Sequence, residues 1–174
     1  MVFDRKFEQI TDRLLIRPLT TWDAEELHEI LGDPVVMARI PSGASGSLDE
    51  TKKRLTKIIE SYELHGYGLW AVLRRDNGRL IGECGIIPVE GKGPEVEIAY
   101  QFSRSSWGRG YATESAKECL RYGLDELGMD RIIGITYPDH GASRRVMEKA
   151  GMSYVGTGFY YRHEMVVYEI LRNP

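Results

Sequence analysis

Residues 94–119 read PEVEIAYQFSRSSWGRGYATESAKEC, and three successive patterns within this stretch decide the fold. From Glu95 to Phe102 the residues alternate: Val96, Ile98, Tyr100 and Phe102 fall on one face, Glu95, Glu97, Ala99 and Gln101 on the other. Such period-two alternation predicts a β-strand with one buried face. A polar loop, residues 103–107, then runs into Gly108-Arg109-Gly110. From Tyr111 to Leu127 the apolar and small residues Ala112, Ala116, Cys119, Leu120, Gly123, Leu124 and Leu127 recur three or four apart. That spacing predicts a helix, which Gly128 ends.

A strand, a glycine turn and a helix N-terminus together form an anion site. The first helical N–H groups lack intrahelical partners, and the helix dipole favours negative charge there. Gly108 and Gly110 carry no Cβ, so phosphate oxygens can approach the backbone closely. The alternative is an ordinary tight strand-to-helix turn. Two phosphate motifs are excluded: the chain has no G-x-x-x-x-G-K-[ST] run, and the dinucleotide fingerprint would need a glycine where Thr113 stands.

The run Trp107-Gly108-Arg109-Gly110-Tyr111-Ala112 resembles the acyl-CoA-binding motif of the GNAT superfamily of N-acetyltransferases, [QR]-x-x-G-x-[GA]. Gly110 and Ala112 match its small positions, while Trp107 stands where Gln or Arg is common. The wider phrase S-x-W-G-R-G-Y-A-T-E, after the strand EIAY, resembles the branch that contains the Rim-type ribosomal-protein N-acetyltransferases. The opening Thr11-x-Arg13-Leu14-x-Ile16-Arg17-x-Leu19 resembles that branch too. The resemblance implies an α/β (α+β) GNAT fold: a mixed, mostly antiparallel twisted sheet of about seven strands with about four helices on its faces. It also implies that residues 1–174 form a single GNAT N-acetyltransferase domain.

Composition agrees with a globular protein and narrows the alternatives. Of 174 residues, 42% are hydrophobic and 28% charged, as in ordinary globular domains. A net charge of −3 without a basic block argues against nucleic acid as a partner. No apolar run approaches the roughly 20 residues of a membrane span. The N-terminal MVFDRKFEQITD lacks the apolar core of a signal peptide, so a cytoplasmic location is expected. Cys84 and Cys119 are far apart and form no metal or redox motif, and no metal is expected.

The rest of the chain fits the same plan. Leu14 to Leu19 reads as a first strand, and Asp23 is expected to cap a helix through Leu31 that Gly32-Asp33-Pro34 ends. A second helix is predicted from Ser47 or Asp49 to about Tyr62, with Leu55, Ile58, Ile59 and Tyr62 as its apolar stripe. The loop PSGASG, residues 41–46, lies between them; the resemblance implies that this segment overhangs the acceptor site. Asp76-Asn77-Gly78 between the apolar runs 69–74 and 79–88 predicts a hairpin. Arg131 to Tyr137 reads as a fully buried strand, Ala142 to Ala150 as a short helix, and the tail as two strands around Tyr161-Arg162-His163.

The segment 138–152, PDHGASRRVMEKAGM, resembles the second GNAT block, with His140 in place of a common asparagine and Met147 in place of a common acidic tyrosine. On this resemblance acetyl-CoA is the co-substrate. The residues expected to bind it are Gln101, Phe102, Ser103, Gly108, Arg109, Gly110, Tyr111, Ala112, Thr113, His140, Ser143 and Arg144. Arg104 and Lys149 are further candidates for its phosphates. A backbone N–H near Gln101 or Phe102 would stabilise the charge that develops on the thioester oxygen. Glu97 is the candidate base, with an ion-paired strand residue and catalysis by water alone as the alternatives. Ser143 is the candidate acid or thiolate partner, with a helix cap as its alternative. Tyr160 and Tyr161 carry no spacing argument. The expected acceptor is a primary amine, a peptide N-terminal α-amine before a small amine such as a polyamine, aminoglycoside or amino acid. A non-catalytic CoA-binding protein is the alternative, and the reading leaves room for a homodimer.

Overall fold

The computed structural model describes residues 7–173, so the first half of the N-terminal stretch read for a leader lies outside it. Among the described residues eight strands form one sheet in the order β1-β2-β3-β4-β5-β6-β8-β7. They are β1 (Gln9–Ile10), β2 (Leu14–Pro18), β3 (Leu69–Arg74), β4 (Leu80–Pro88), β5 (Val96–Phe102), β6 (Arg131–Thr136), β7 (Ser153–Tyr160) and β8 (His163–Leu171). All neighbours pair antiparallel except β5 with β6. Five helices flank the sheet: α1 (Ala24–Leu31), α2 (Pro34–Met37), α3 (Leu48–His65), α4 (Tyr111–Arg121) and α5 (Gly141–Lys149).

The sheet is thus one strand larger than the seven expected, because Gln9 and Ile10 add a short edge to Ile16 and Leu15. The additional helix α2 begins where α1 was expected only to stop. Asp33 accepts from the Val35 N–H at 2.9 Å, and Pro34 fits the first helical position, so the chain re-enters a helical turn at once. Asp23 is not the side-chain cap of α1. Its carboxylate instead accepts from Arg17 at 2.7 and 2.9 Å and from the Thr20 N–H at 2.7 Å. Ser47 does cap α3, accepting from the Glu50 N–H at 3.2 Å, and Gly66 closes it with a φ of 75°. Helix α4 passes at Tyr122–Glu126 into a wider π-helical turn, where Leu127 N–H donates to the Tyr122 carbonyl.

The sheet separates two cores. One joins α4 and α5 to Leu14, Ile16, Trp70, Cys84, Ile86, Val96, Ile98, Phe102 and Ile132. The other joins α1, α2 and α3 to Leu69, Ala71, Leu73 and Leu80. This corrects the expectation that β5 buries one face only. Both faces are covered, and Glu97 and Gln101 are 5% and 7% exposed. Alternation reports which residues share a face, but helices supplied from elsewhere in the chain decide whether the polar face is wet. No helix among the described residues is long and apolar enough to cross a membrane.

Candidate active site

The site is built on an interruption of the sheet. Strand β5 is bonded to β4 from Val96 to Phe102. To β6 it is paired only at Glu97 and Ile133, while the other edge of β6 is bonded to β8 from Arg131 to Thr136. The β5 edge from Ile98 to Phe102 therefore has no strand partner on that side. At its far end the chain enters the turn that leads to α4. The Trp107 indole N–H donates to the Phe102 carbonyl at 2.8 Å, and Ser103 Oγ lies 2.8 Å from Ser106 Oγ. Gly108 and Gly110 have φ of 70° and 81°, in the left-handed region where a side chain is strained. Gly110 immediately precedes α4, whose first intrahelical bond is donated by Glu114, so the N–H groups of Tyr111, Ala112 and Thr113 are left for an anion.

Residues distant in sequence brace this turn. Arg13 donates to the Arg109 carbonyl at 2.8 Å and to Glu114 at 2.7 Å, and lies 4.6 Å from the centre of the Tyr111 ring. A cleft of about 670 Å³ opens beside it, lined in part by Gly110, Thr113, Lys117 and Lys149. Arg109 forms no salt bridge among the described residues, whereas Arg104 is bound to Asp33 at 2.7 Å. Arg144 is committed as well, donating to the Tyr168 hydroxyl and the Pro138 carbonyl, each at 3.0 Å.

At the other end of β5, Glu97 accepts a hydrogen bond from the Tyr161 hydroxyl. Burial pushes its pKa up to about 7, the Tyr161 bond opposes that rise, and the charge of Glu90 adds to it. Tyr161 sits in the β7–β8 turn, where Tyr161 and Arg162 both have positive φ, 51° and 66°. Its backbone N–H donates to Glu90 Oε1 at 2.7 Å, and its hydroxyl accepts from the Glu90 N–H at 3.0 Å. Glu90 too has a positive φ, 53°. Two of these positive-φ residues, Tyr161 and Glu90, act on the one carboxylate of Glu97, and backbone strain of this kind is typical of functional positions.

The opposite face of β5 carries Tyr100, whose hydroxyl lies 2.9 Å from Ser143 Oγ and 3.1 Å from the Ser143 carbonyl. Ser143 is buried as the third residue of α5, so it is not the cap; His140 occupies that position. His140 is held by Thr136 at 3.1 Å, and its pKa is lowered by burial and by Arg39, which keeps it neutral at pH 7. Met147 packs over Gly134, where a Cβ would come within 2.8 Å of its sulfur, so a thioether fills the place expected of an acidic tyrosine. In the sequence Tyr100 has only a place on the apolar face of β5, Arg13 only a place in the opening motif, and Glu83 no signal. No local spacing signals the contacts of any of the three.

The geometry agrees with what the chain is similar to. The model of the acetyltransferase (GNAT) domain matches residues 13–153. The uncharacterized protein YkkB of Bacillus subtilis is 35% identical over 168 residues, spanning 94% of this chain and 95% of that one. The FsC-acetyl coenzyme A-N(2)-transacetylase of Aspergillus fumigatus is 31% identical over 157 residues, 86% of this chain and 66% of that one. Among solved structures, an acetyltransferase (GNAT family) from Bacillus anthracis superposes with a TM-score of 0.82 at 28% identity, covering 95% of this chain and 99% of that one.

Proposed function

The chain belongs to the GNAT family and is an acyl-CoA-dependent N-acetyltransferase; from that premise we propose that it acetylates a primary amine, an α-amine by preference, by direct attack in a ternary complex. We take residues 1–174 as one such domain. The observation that carries the reading is the single β5–β6 pairing at Glu97 and Ile133, beyond which the edge of β5 runs open to the α4 N-terminus.

The residues fit an acyl-CoA. The open edge offers main-chain N–H groups to the pantetheine arm, and the α4 N-terminus with Gly108 and Gly110 suits the pyrophosphate. Acetyl-CoA supplies the acetyl group as a thioester, so no residue of the chain has to be acylated. The Gln101 or Phe102 N–H donates towards the thioester oxygen, where negative charge develops. On one face of β5, Glu97 takes the amine's proton, through water; on the other, Ser143, backed by the Tyr100 hydroxyl, donates to the departing thiolate.

The pKa of Glu97 supports the α-amine. At about 7 it lies roughly one unit below a free α-amine (about 7.7–8.0), against more than three below lysine (about 10.4). Proton transfer from the first costs about 1 kcal/mol and from the second over 4. The resemblance to the Rim-type branch points the same way. A small amine is the second reading, and the similarity to a transacetylase named as acting at an N(2) nitrogen supports transfer to nitrogen in either case. CoA release measured with an N-terminal peptide, its N-blocked lysine-containing analogue and spermidine tests the preference. Faster reaction of the blocked peptide or of spermidine would overturn it.

A further inference from the structure

Three buried side-chain polar atoms lack a hydrogen-bond partner among the described residues, and two of them are Glu83 Oε2 and Gln101 Oε1. Both atoms belong to one cross-strand pair, since Glu83 on β4 lies directly opposite Gln101 on β5. Side chains so placed share a face and stand about 5 Å apart at Cβ. Glu83 is 0% exposed and Gln101 7%. Two unmet acceptors at that depth are costly, the charged one most of all.

Arg54 on α3 answers only part of this need. Its Nη2 donates to Glu83 Oε1 at 3.1 Å, while Nη1 is turned to Ser42 Oγ, at 2.8 Å, in the surface loop of residues 41–46. Burial raises the Glu83 pKa against the pull of Arg54, so one guanidinium arm leaves the carboxylate under-compensated. What the pair lacks is a cation with several N–H donors. Gln101 also lies on the stretch of β5 that has no β6 partner, the edge assigned above to the pantetheine arm.

We propose that Glu83 and Gln101 form the seat of the acceptor: a protonated primary amine donates to Glu83 Oε2 and Gln101 Oε1, in the lobe that Arg54 leaves free. This rests on the acetyltransferase reading and names the substrate class for that site. Glu83 holds the cation; Glu97 lies four residues along the same face of β5, about 13 Å away at Cα, so the proton reaches it through a chain of waters and not by direct contact.

The test compares wild type, Glu83→Gln and Arg54→Met, using a tripeptide amide with a free amino terminus and spermidine as probes. Amine KM is measured by CoA release, and amine binding to the CoA-saturated protein by calorimetry. Acetyl-CoA affinity and thermal midpoint are recorded alongside. Glu83→Gln is expected to weaken amine binding by about tenfold or more, the size of a lost charged hydrogen bond. Its acetyl-CoA affinity and thermal midpoint should hold. Arg54→Met is expected to strengthen amine binding, because it uncovers the carboxylate. An unchanged amine affinity in Glu83→Gln overturns the proposal. So does a parallel loss in both variants with a fall in thermal midpoint, which would make the pair a strut between α3 and the sheet. If wild type turns over neither probe, calorimetry still decides: amine binding that Glu83→Gln removes supports the seat while the transfer reading fails, and no binding by wild type overturns the seat.

Discussion

The Tyr161 hydroxyl donates to Oε1 of Glu97 across 64 positions of sequence, joining the β7–β8 turn to the first turn of the open strand. That bond favours the carboxylate and opposes the effect of burial. Tyr161→Phe removes it while keeping the ring and its backbone position. The Glu97 pKa then rises, and the acid limb of the pH profile of kcat/KM moves to higher pH. Activity at pH 7 should fall about three- to tenfold and recover above pH 8.5. An unmoved limb would show that Tyr161 does not tune the base.

Glu97→Gln should separate activity from stability. The folded pKa of about 7 lies above the unfolded value of 4.5, so folding is favoured by the protonated form. That contribution is complete below about pH 4.5 and is lost as the pH rises through 7. The neutral variant should match wild type in acid and be up to about 3 kcal/mol more stable at pH 8 by urea denaturation. Its turnover at pH 7 should fall at least about a hundredfold with acetyl-CoA affinity retained.

Gly110→Val should abolish acetyl-CoA binding. At φ 81° a side chain is strained, and its Cβ would come within 3.4 Å of Arg13 Nη2. Strain at one such position costs about 1–2 kcal/mol, so the fold survives while the anion site is filled. Calorimetry with acetyl-CoA and a far-ultraviolet spectrum together check both halves.

Ser143→Ala should lower turnover by about tenfold or more without weakening acetyl-CoA binding. Tyr100 retains the Ser143 carbonyl as a partner, so the loss of stability should stay near 1 kcal/mol. A substrate analogue with a more acidic leaving thiol should recover most of the rate.

What the sequence determined by itself is local. The β5 strand, the glycine turn, the start of α4, the hairpin at Asp76-Asn77-Gly78 and the cap at Ser47 each lie within a few consecutive residues. Strand and helix periods and turn chemistry are set at that range, so these elements are legible in the sequence alone. The tertiary structure alone decided which side chains meet. Arg13 reaches Glu114 over 101 positions, Tyr100 reaches Ser143 over 43, and Arg54 reaches Glu83 over 29. It also decided that the polar face of β5 is dry. Alternation separates two faces, but only tertiary packing takes Glu97 and Gln101 out of water: the cluster of α1, α2 and α3 packs on this strand at Ala99, and the β7–β8 turn sets Tyr161 on Glu97. Desolvation then moves the Glu97 pKa close to neutral, because charge is costly to hold where water is excluded.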